Sequence, residues 1–238
     1  RYYSDGRFIH AKESLVDFSE LSHQREIRES LNKIFSEKCS SEKLKEFDNE
    51  FKHDESLYDF LATNGYLGLG INEKLNGSGE DLYDLGILFE CLGFYAVPLS
   101  LTGCLVDVAQ TLQKFSKNDN HQSIVSSITK GEIYTSAILE PLNHDPENPT
   151  TTAVFDGDKV IINGSKYLSE ISSLAKGILI SASSNKGVIL VLVKTDNVKL
   201  TQLTSTANSP LFKVELKNVS IEQSNIVHQE GRGLETLR

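Results

Sequence analysis

The sequence predicts an α+β fold, in which an N-terminal all-α bundle is followed by a small antiparallel β-barrel or sandwich. Three observations carry this prediction. Apolar residues recur at helical spacing through most of residues 15–131, short β-rich runs between turn residues fill the rest, and the change falls next to Gly131. We therefore divide the 238 residues into a helical domain, 1–131, and a β-domain, 132–238.

Apolar stripes predict six helices in the first half. Ile27, Leu31 and Ile34 predict an amphipathic helix over 24–36, and Asn64-Gly65 ends the third helix, because glycine suits the left-handed backbone there. The other helices are predicted around Leu44–Phe47, Leu57–Leu61, Leu82–Leu92, Leu101–Lys114 and Ser123–Lys130. Residues 65–79 are predicted as a loop, whose Gly77-Ser78-Gly79 lacks the spacing of a phosphate-binding loop and is predicted as a turn.

The second half is predicted to form short strands. Val154-Phe155 and Val160-Ile162 flank the turn-forming Asp156-Gly157-Asp158, which predicts a hairpin. Further strands are predicted at Gly177–Ser183, Val188–Lys194, Val198–Leu203 and Leu211–Leu216. Strands at this spacing indicate a barrel or a sandwich.

The composition, 39% apolar and 24% charged, is typical of a soluble globular protein, and no apolar run approaches the roughly 18 residues of a membrane span. A net charge of −9 argues against nucleic acid as a partner. Three scattered cysteines favour reduced thiols, and six histidines without an HExxH motif predict no metal site. We expect a cytoplasmic protein, or a mitochondrial matrix protein if the source is eukaryotic.

Four segments, in this order along the chain, resemble the acyl-CoA dehydrogenase family. The first is LSHQREIRESLNKIF, similar to the family's opening helix, and the second is GYLGLGINEKLNGSGEDLYDLGILFECLGFYAVPL, similar to GLLGIxxPEEYGGxGxDxxxxxxxxEELGRxxAP. The third joins SAILEP to DGDKVIINGSKYLSEISSLAKGILISA, where the family has AxTEP and then GxxxxLNGxKxWITNxxxADxxLVxA. The fourth is LFKVELKNVSIEQSNIVHQEGRGL, similar to FxxVxVPxxNxLGxxGxG. Together they span about Leu21 to Leu234.

The resemblance implies an FAD-dependent oxidoreductase that dehydrogenates an acyl-CoA thioester between its α and β carbons. Its partners would be the thioester, an electron-transfer flavoprotein or similar acceptor, and copies of itself or a related subunit. In the family a C-terminal four-helix domain supplies the catalytic Glu, so we expect a longer natural chain beyond Leu234. No catalytic residue is assigned in the present sequence.

The resemblance also implies flavin contacts, since the AxTEP and KxWIT segments line the flavin in the family. Carried across, Lys166-Tyr167-Leu168-Ser169 takes the place of KxWIT, so Tyr167 would cover the flavin and Ser169 would offer its hydroxyl. Ile138 and Leu139 belong to the AxTEP-like segment, and Leu139 replaces a Thr and cannot donate a hydrogen bond. The predicted cofactor-binding residues are therefore Ile138, Leu139, Tyr167, Leu168 and Ser169.

Two residues are predicted to bind substrate. Asp145 follows Glu140-Pro141 in a loop that lies near the CoA pantetheine and the flavin in the family, although residues 142–146 depart from the family's Gly, Ser and Asp. Leu92 belongs to helices that border the acyl chain in the family, with a place in the core as the alternative. Tyr167 could equally be a barrel aromatic, and Glu140-Pro141 a strand-to-loop junction.

Three functional hypotheses remain open. The first is the FAD-dependent acyl-CoA dehydrogenase. The second is a non-catalytic homologue, a binding or scaffolding subunit whose flavin site has decayed, and Leu139 and residues 142–146 favour it. The third is a family member that acts on something other than a simple fatty acyl thioester.

Overall fold

A computed structural model describes residues 19–50, 53–79, 81–143, 145–206, 210–227 and 233, with backbone alone at 48–50 and at 168. All six predicted helices form. Their bounds are α1 Ser22–Lys38, α2 Ser41–Glu50, α3 Glu55–Thr63, α4 Leu82–Phe94, α5 Thr111–Phe115 and α6 Asp119–Ile128. A π-helix, Thr102–Gln110, precedes α5. The predicted loop 65–79 contains two short 3₁₀ helices, Tyr66–Gly68 and Glu73–Leu75.

The helices pack through one apolar cluster, which includes Leu31, Leu61, Leu88 and Leu105, all fully buried. Asp54, Asp81 and Asn118 cap helices α3, α4 and α6, each accepting a hydrogen bond from a backbone N–H of the first turn. No helix among the described residues is both long and apolar enough to cross a membrane.

Seven strands form one curled sheet. They are β1 Tyr134–Ala137, β2 Thr152–Asp156, β3 Lys159–Glu170, β4 Gly177–Ser184, β5 Gly187–Lys194, β6 Lys199–Leu203 and β7 Leu211–Glu222. The order is β1-β4-β2-β3-β7-β6, with β5 paired to β4. The predicted fold class is confirmed.

One detail of the sheet differs from the prediction, because the sheet is mixed rather than wholly antiparallel. The hairpins β2–β3 and β4–β5 are antiparallel, as their short turns require, but β1 runs parallel to β4, with Tyr134 opposite Gly177. Strand β1 has four residues and was not predicted from the β-pattern.

Strands β4 and β5 are buried on both faces, which places the helices against the sheet. Ile180 and Val191 point into the apolar interior of the curled sheet, whereas Leu179, Leu190 and Leu192 join the apolar cluster of the helices. Burial on both faces explains why both strands contain continuous runs of apolar residues. The helical layer and the sheet therefore meet along β1, β4 and β5.

His53 provides a prediction about pH. Its side chain packs against the Tyr58 ring, with centroids 5.7 Å apart, and Nε2 is buried without a hydrogen-bond partner among the described residues. Burial lowers the pKa of His53 to about 4, from 6.5. The unfolded chain therefore binds a proton that the folded chain rejects, so stability is full above pH 6.5 and falls as the pH drops towards 4.

We expect His53→Phe, which keeps a ring against Tyr58, to flatten this acid-side loss. The group contributes at most about 1.4 kcal/mol per pH unit in that window. Urea unfolding of both proteins at pH 7, 5.5 and 4.5 measures the difference. Parallel stability profiles of the two proteins would show that His53 is not the titrating group.

Candidate active site

A cavity of about 270 Å³ lies where β1, the end of β3 and the π-helix meet. Three predicted site residues, Ile138, Leu139 and Tyr167, line it together. The other residues of its wall are Thr102, Gly103, Asp107, Thr135, Ser136, Ala137 and Glu170. A larger cavity, about 530 Å³, lies between α6 and strands β4 and β5, and none of the predicted site residues lines it.

A bulge in β3 shapes the wall of the 270 Å³ cavity, which we name the Leu139 cavity after one of the residues that line it. Lys166 pairs with Val214 of β7 and Ser169 with Phe212, so three steps along β3 match two along β7. Lys166 and Ser169 are consequently both buried, while Tyr167 faces the cavity. The Tyr167 N–H donates to the Leu139 carbonyl, 2.8 Å away, which ties β3 to the segment after β1.

A buried ion pair forms between two residues that are next in sequence to the lining residues Tyr167 and Leu139. Lys166 Nζ lies 2.7 Å from Glu140 Oε1, and both side chains are almost wholly buried. Lys166 also donates to Ser181 Oγ, 3.0 Å away, and Glu140 accepts from the backbone amides of Thr150 and Thr151. Burial lowers the pKa of Lys166, while these donors hold the pKa of Glu140 far below its usual range despite burial.

Two carboxyl groups that sequence reasoning missed also face the cavity. Asp107, from the π-helix, accepts a hydrogen bond from the Ser136 hydroxyl. Glu170 ends β3, and the Thr135 hydroxyl donates to its backbone carbonyl, 2.9 Å away. Burial raises the pKa of Glu170, a hydrogen bond with Ser100 lowers it, and the nearby Asp107 raises it again. The cavity therefore contains two acidic groups, and neither lysine nor arginine is among the described residues that line it.

Glu170 could have been found from the motif itself. KxWIT has five positions, and the five residues from Lys166 end at Glu170, so an ungapped match places Glu170 where the family has Thr. The prediction that Ser169 takes this place needs a one-residue gap. Without that gap, both Thr positions of the two motifs hold residues without a hydroxyl, Leu139 and Glu170, and Leu168 rather than Tyr167 stands where the family has Trp.

Comparison with known proteins finds a family model that matches the helical part of the chain. Residues 22–132 match the model described as "Acyl-CoA dehydrogenase, N-terminal domain". Over these residues the chain matches the acyl-CoA dehydrogenase family, and the curated proteins that it resembles carry the same family name. It is 21% identical over 170 residues to acyl-CoA dehydrogenase FadE28 of Mycobacterium tuberculosis, covering 71% of this chain and 48% of FadE28.

Two further relatives extend the likeness beyond the helices. The probable acyl-CoA dehydrogenase YngJ of Bacillus subtilis is 22% identical over 230 residues, covering 90% of this chain and 60% of YngJ. The crystal structure of the ChsE4-ChsE5 complex from Mycobacterium tuberculosis superposes with a TM-score of 0.81 at 20% identity, covering 93% of this chain and 60% of that one. The chain thus spans about half to three-fifths of the length of these relatives.

Acyl-CoA dehydrogenases generally bind FAD, and the side chains of the Leu139 cavity can be tested for that role. The ring carbonyls and unprotonated nitrogens of oxidised flavin need hydrogen-bond donors. Leu139 has none, the hydroxyls of Thr135, Ser136 and Ser169 already donate to acceptors of the protein, and Glu170 adds a carboxylate. At the two Thr positions of the motifs, Leu139 and Glu170, the side chains therefore do not supply the hydroxyl donor that a flavin ring would use.

Three other predicted residues, Ser169, Leu92 and Asp145, are not among the residues that line the cavity. Ser169 is 1% exposed, and its hydroxyl donates to the Ser136 carbonyl and accepts from Ser172. Leu92 is buried in the helical cluster. Asp145 is exposed, and its carboxylate accepts from the Glu147 amide and from Asn148 within its own loop. The side chain of Leu168 lies outside the described residues, and the ligand roles of all four stay predictions.

Three groups able to bind a metal meet at the start of α1 and α4, which no sequence motif indicated. Single ligand atoms of His23, Asp81 and Asp84 lie within 4.8 Å of one another. Gln24 donates to both aspartates, and Asp81 caps α4. Both helices direct their positive ends here, which disfavours a cation. These hydrogen bonds join the start of α1 to the start of α4.

Proposed function

We propose that this chain is a subunit of an oxidoreductase that carries out α,β-dehydrogenation of an acyl-CoA thioester, and that a partner chain holds the FAD of that reaction. One observation carries the proposal. The two motif strands converge on one cavity, as in a working family member, yet the Thr positions hold Leu139 and Glu170. A family fold that lacks the hydroxyl donors at both Thr positions suits a supporting subunit better than an independent catalyst.

The solved relatives support an assembly of unlike chains. The ChsE4-ChsE5 structure is a complex of two named proteins. In the assembly proposed here, a related acyl-CoA dehydrogenase chain is the catalytic partner, and an electron-transfer flavoprotein or similar carrier accepts its electrons. The present chain would contribute an interface and would stabilise the catalytic chain.

A second function is favoured by the place of Tyr167. Tyr167 lines the cavity beside Leu139, and Lys213 Nζ lies 5.8 Å from the centroid of its ring. We infer from the resemblance that this ring could cover a flavin. The chain would then bind FAD itself and act as an FAD-dependent acyl-CoA dehydrogenase, alone or as a homo-oligomer. The donors would have to come from backbone amides and from residues outside the described part of the chain.

Co-expression separates the two functions. The full-length protein is purified alone and together with each acyl-CoA dehydrogenase chain of its source organism, and a panel of acyl-CoA thioesters is added to each preparation. The first function predicts that a stable mixed complex bleaches its flavin band with a thioester, whereas the chain alone does not. A chain that bleaches a flavin band by itself would establish the second function.

A further inference from the structure

Leu142 lies at a turn position that leucine rarely occupies. Residues 140–143 form a tight turn, which is closed by a hydrogen bond from the Asn143 N–H to the Glu140 carbonyl, 3.3 Å away. Pro141 is the second residue of this turn, and Leu142, the third, has a φ of +59°. A type II turn has this pattern and favours glycine or asparagine at its third position, because most side chains are strained at positive φ. Leu142 therefore has a strained backbone.

The strain at Leu142 is not offset by packing within the described part of the chain, since its side chain is fully exposed. Four other described residues besides glycine have positive φ. Asn76 and Asn218 are of the residue type that tolerates this conformation, and Ala96 has the smallest side chain after glycine. Ile171 is only 1% exposed, so its burial offsets the strain. Among the described residues, only Leu142 combines a strained backbone with a large, fully exposed apolar side chain.

The turn is fixed at both ends by hydrogen bonds. The buried carboxylate of Glu140 accepts from the backbone N–H groups of Thr150 and Thr151. The Asn143 side chain donates to the same carboxylate and to the Asn148 carbonyl. Strained residues persist where the surrounding structure holds them, and they concentrate at binding sites and other functional positions. A side chain on a fixed turn also loses less conformational entropy on binding, which favours contact with another molecule.

The charge around the turn indicates which kind of surface would cover Leu142. No lysine or arginine occurs in the sequence from residue 131 to residue 158, whereas the loop after the turn contains Asp145 and Glu147. Hydrogen bonds from the Asn148 side chain and the Glu147 N–H lower the pKa of Asp145, so its carboxylate is charged at neutral pH. A second copy of the chain also has a net charge of −9 and would be repelled. The complementary surface is apolar with a positively charged rim.

We propose that Leu142 is an interface anchor, which inserts into an apolar pocket rimmed by lysine or arginine on an unlike partner chain. The fixed turn presents the side chain, and the acidic surroundings select the basic rim. That the partner is the catalytic chain rests on the function proposed above. The proposal adds the place of the contact and the chemistry of the surface that receives it.

A pair of variants of the full-length protein tests the anchor. Leu142→Asn keeps the branched shape, tolerates positive φ and removes the apolar character. We expect it to raise the melting temperature of the chain alone by about 2 °C, because strain is relieved. It should bind the acyl-CoA dehydrogenase chain selected by the co-expression above about tenfold more weakly, because the burial of a leucine is lost. Isothermal titration calorimetry measures the affinity.

Val154→Thr is the matched control, because Val154 is also exposed, at 59%, but lies on strand β2. This change also replaces an apolar group by a polar one of the same shape, and we expect it to leave the affinity unchanged. An unchanged affinity of Leu142→Asn would overturn the proposal. So would a lower melting temperature of that variant, which would mean that Leu142 packs within its own chain.

A photo-crosslinker identifies the surface that covers residue 142. The full-length protein, with p-benzoylphenylalanine in place of Leu142, is co-expressed with the same partner and irradiated, and mass spectrometry maps the crosslinked peptide. The proposal predicts a crosslink to an apolar segment of the unlike chain with lysine or arginine beside it. A crosslink to a second copy, to its own chain or to nothing would overturn it. A mixed complex that bleaches its flavin but is insensitive to Leu142→Asn would contradict the anchor alone and leave the proposed function standing.

Discussion

Lys166→Met is expected to lower the free energy of unfolding by about 3–5 kcal/mol, because it leaves the Glu140 carboxylate buried without its cationic partner. The methionine has a similar length, so the loss would come from the charge rather than from a void. Glu140 would keep the donors at Thr150 and Thr151, but these do not neutralise it. Urea unfolding at pH 7 measures the change.

Lys176→Met is the matched control, because Lys176 pairs with Glu132 at the surface and its side chain is 61% exposed. We expect it to change stability by less than about 1 kcal/mol. Similar losses in the two variants would mean that the Lys166–Glu140 pair does not behave as a buried pair. The removal of both charges, as Lys166→Met/Glu140→Gln, should restore part of the stability.

Gly77→Ala is expected to destabilise the protein by about 3 kcal/mol, since overpacking at a site that cannot yield has a cost of this order. A Cβ atom at residue 77 would lie 1.9 Å from the Ile71 carbonyl oxygen and 2.3 Å from its carbon, both backbone atoms. The backbone there is fixed by hydrogen bonds from Ser78 N to Gly68 O and from Gly79 N to Ile71 O, each 2.9 Å long. Thermal unfolding reports the loss.

Gly86→Ala is expected to stabilise the protein in the same experiment. Gly86 lies in the middle of α4, and no atom lies within 4 Å of its ideal Cβ position. Alanine should therefore stabilise the helix by about 0.5–1 kcal/mol. If both glycine variants shifted the melting temperature in the same direction, the tight packing of residue 77 would be contradicted.

The helices and most strands could be predicted because their signals are local. Ile27, Leu31 and Ile34 fix one face of α1, and the continuous apolar runs of β4 and β5 mark strands that are buried on both faces. Strand β1 has too few residues to show a pattern of its own. The π-helix over 102–110 has the same apolar stripe as an α-helix, so its wider turns could not be predicted.

The candidate site, too, could be predicted from the sequence only in part. The segments that resemble AxTEP and KxWIT meet at one cavity, and the ligand roles of their residues stay predictions. The two acids of that cavity were missed for different reasons. Glu170 was missed because the motif match contained a one-residue gap, which placed Ser169 at the Thr position. The structure has a bulge in the same part of β3, between Lys166 and Ser169. Asp107 and Ser136 are 29 residues apart in the sequence, and no local pattern encodes a contact between them.

In the assembly proposed here, this chain does not hold flavin itself. The direct measurement is the visible absorption spectrum of the full-length protein purified alone, incubated with excess FAD and then desalted. We predict that no flavin band survives desalting, and that Leu139→Thr/Glu170→Thr, which restores both Thr positions, retains flavin better than the unaltered chain. A stoichiometric flavin band in the unaltered protein, bleached by an acyl-CoA thioester, would contradict the account.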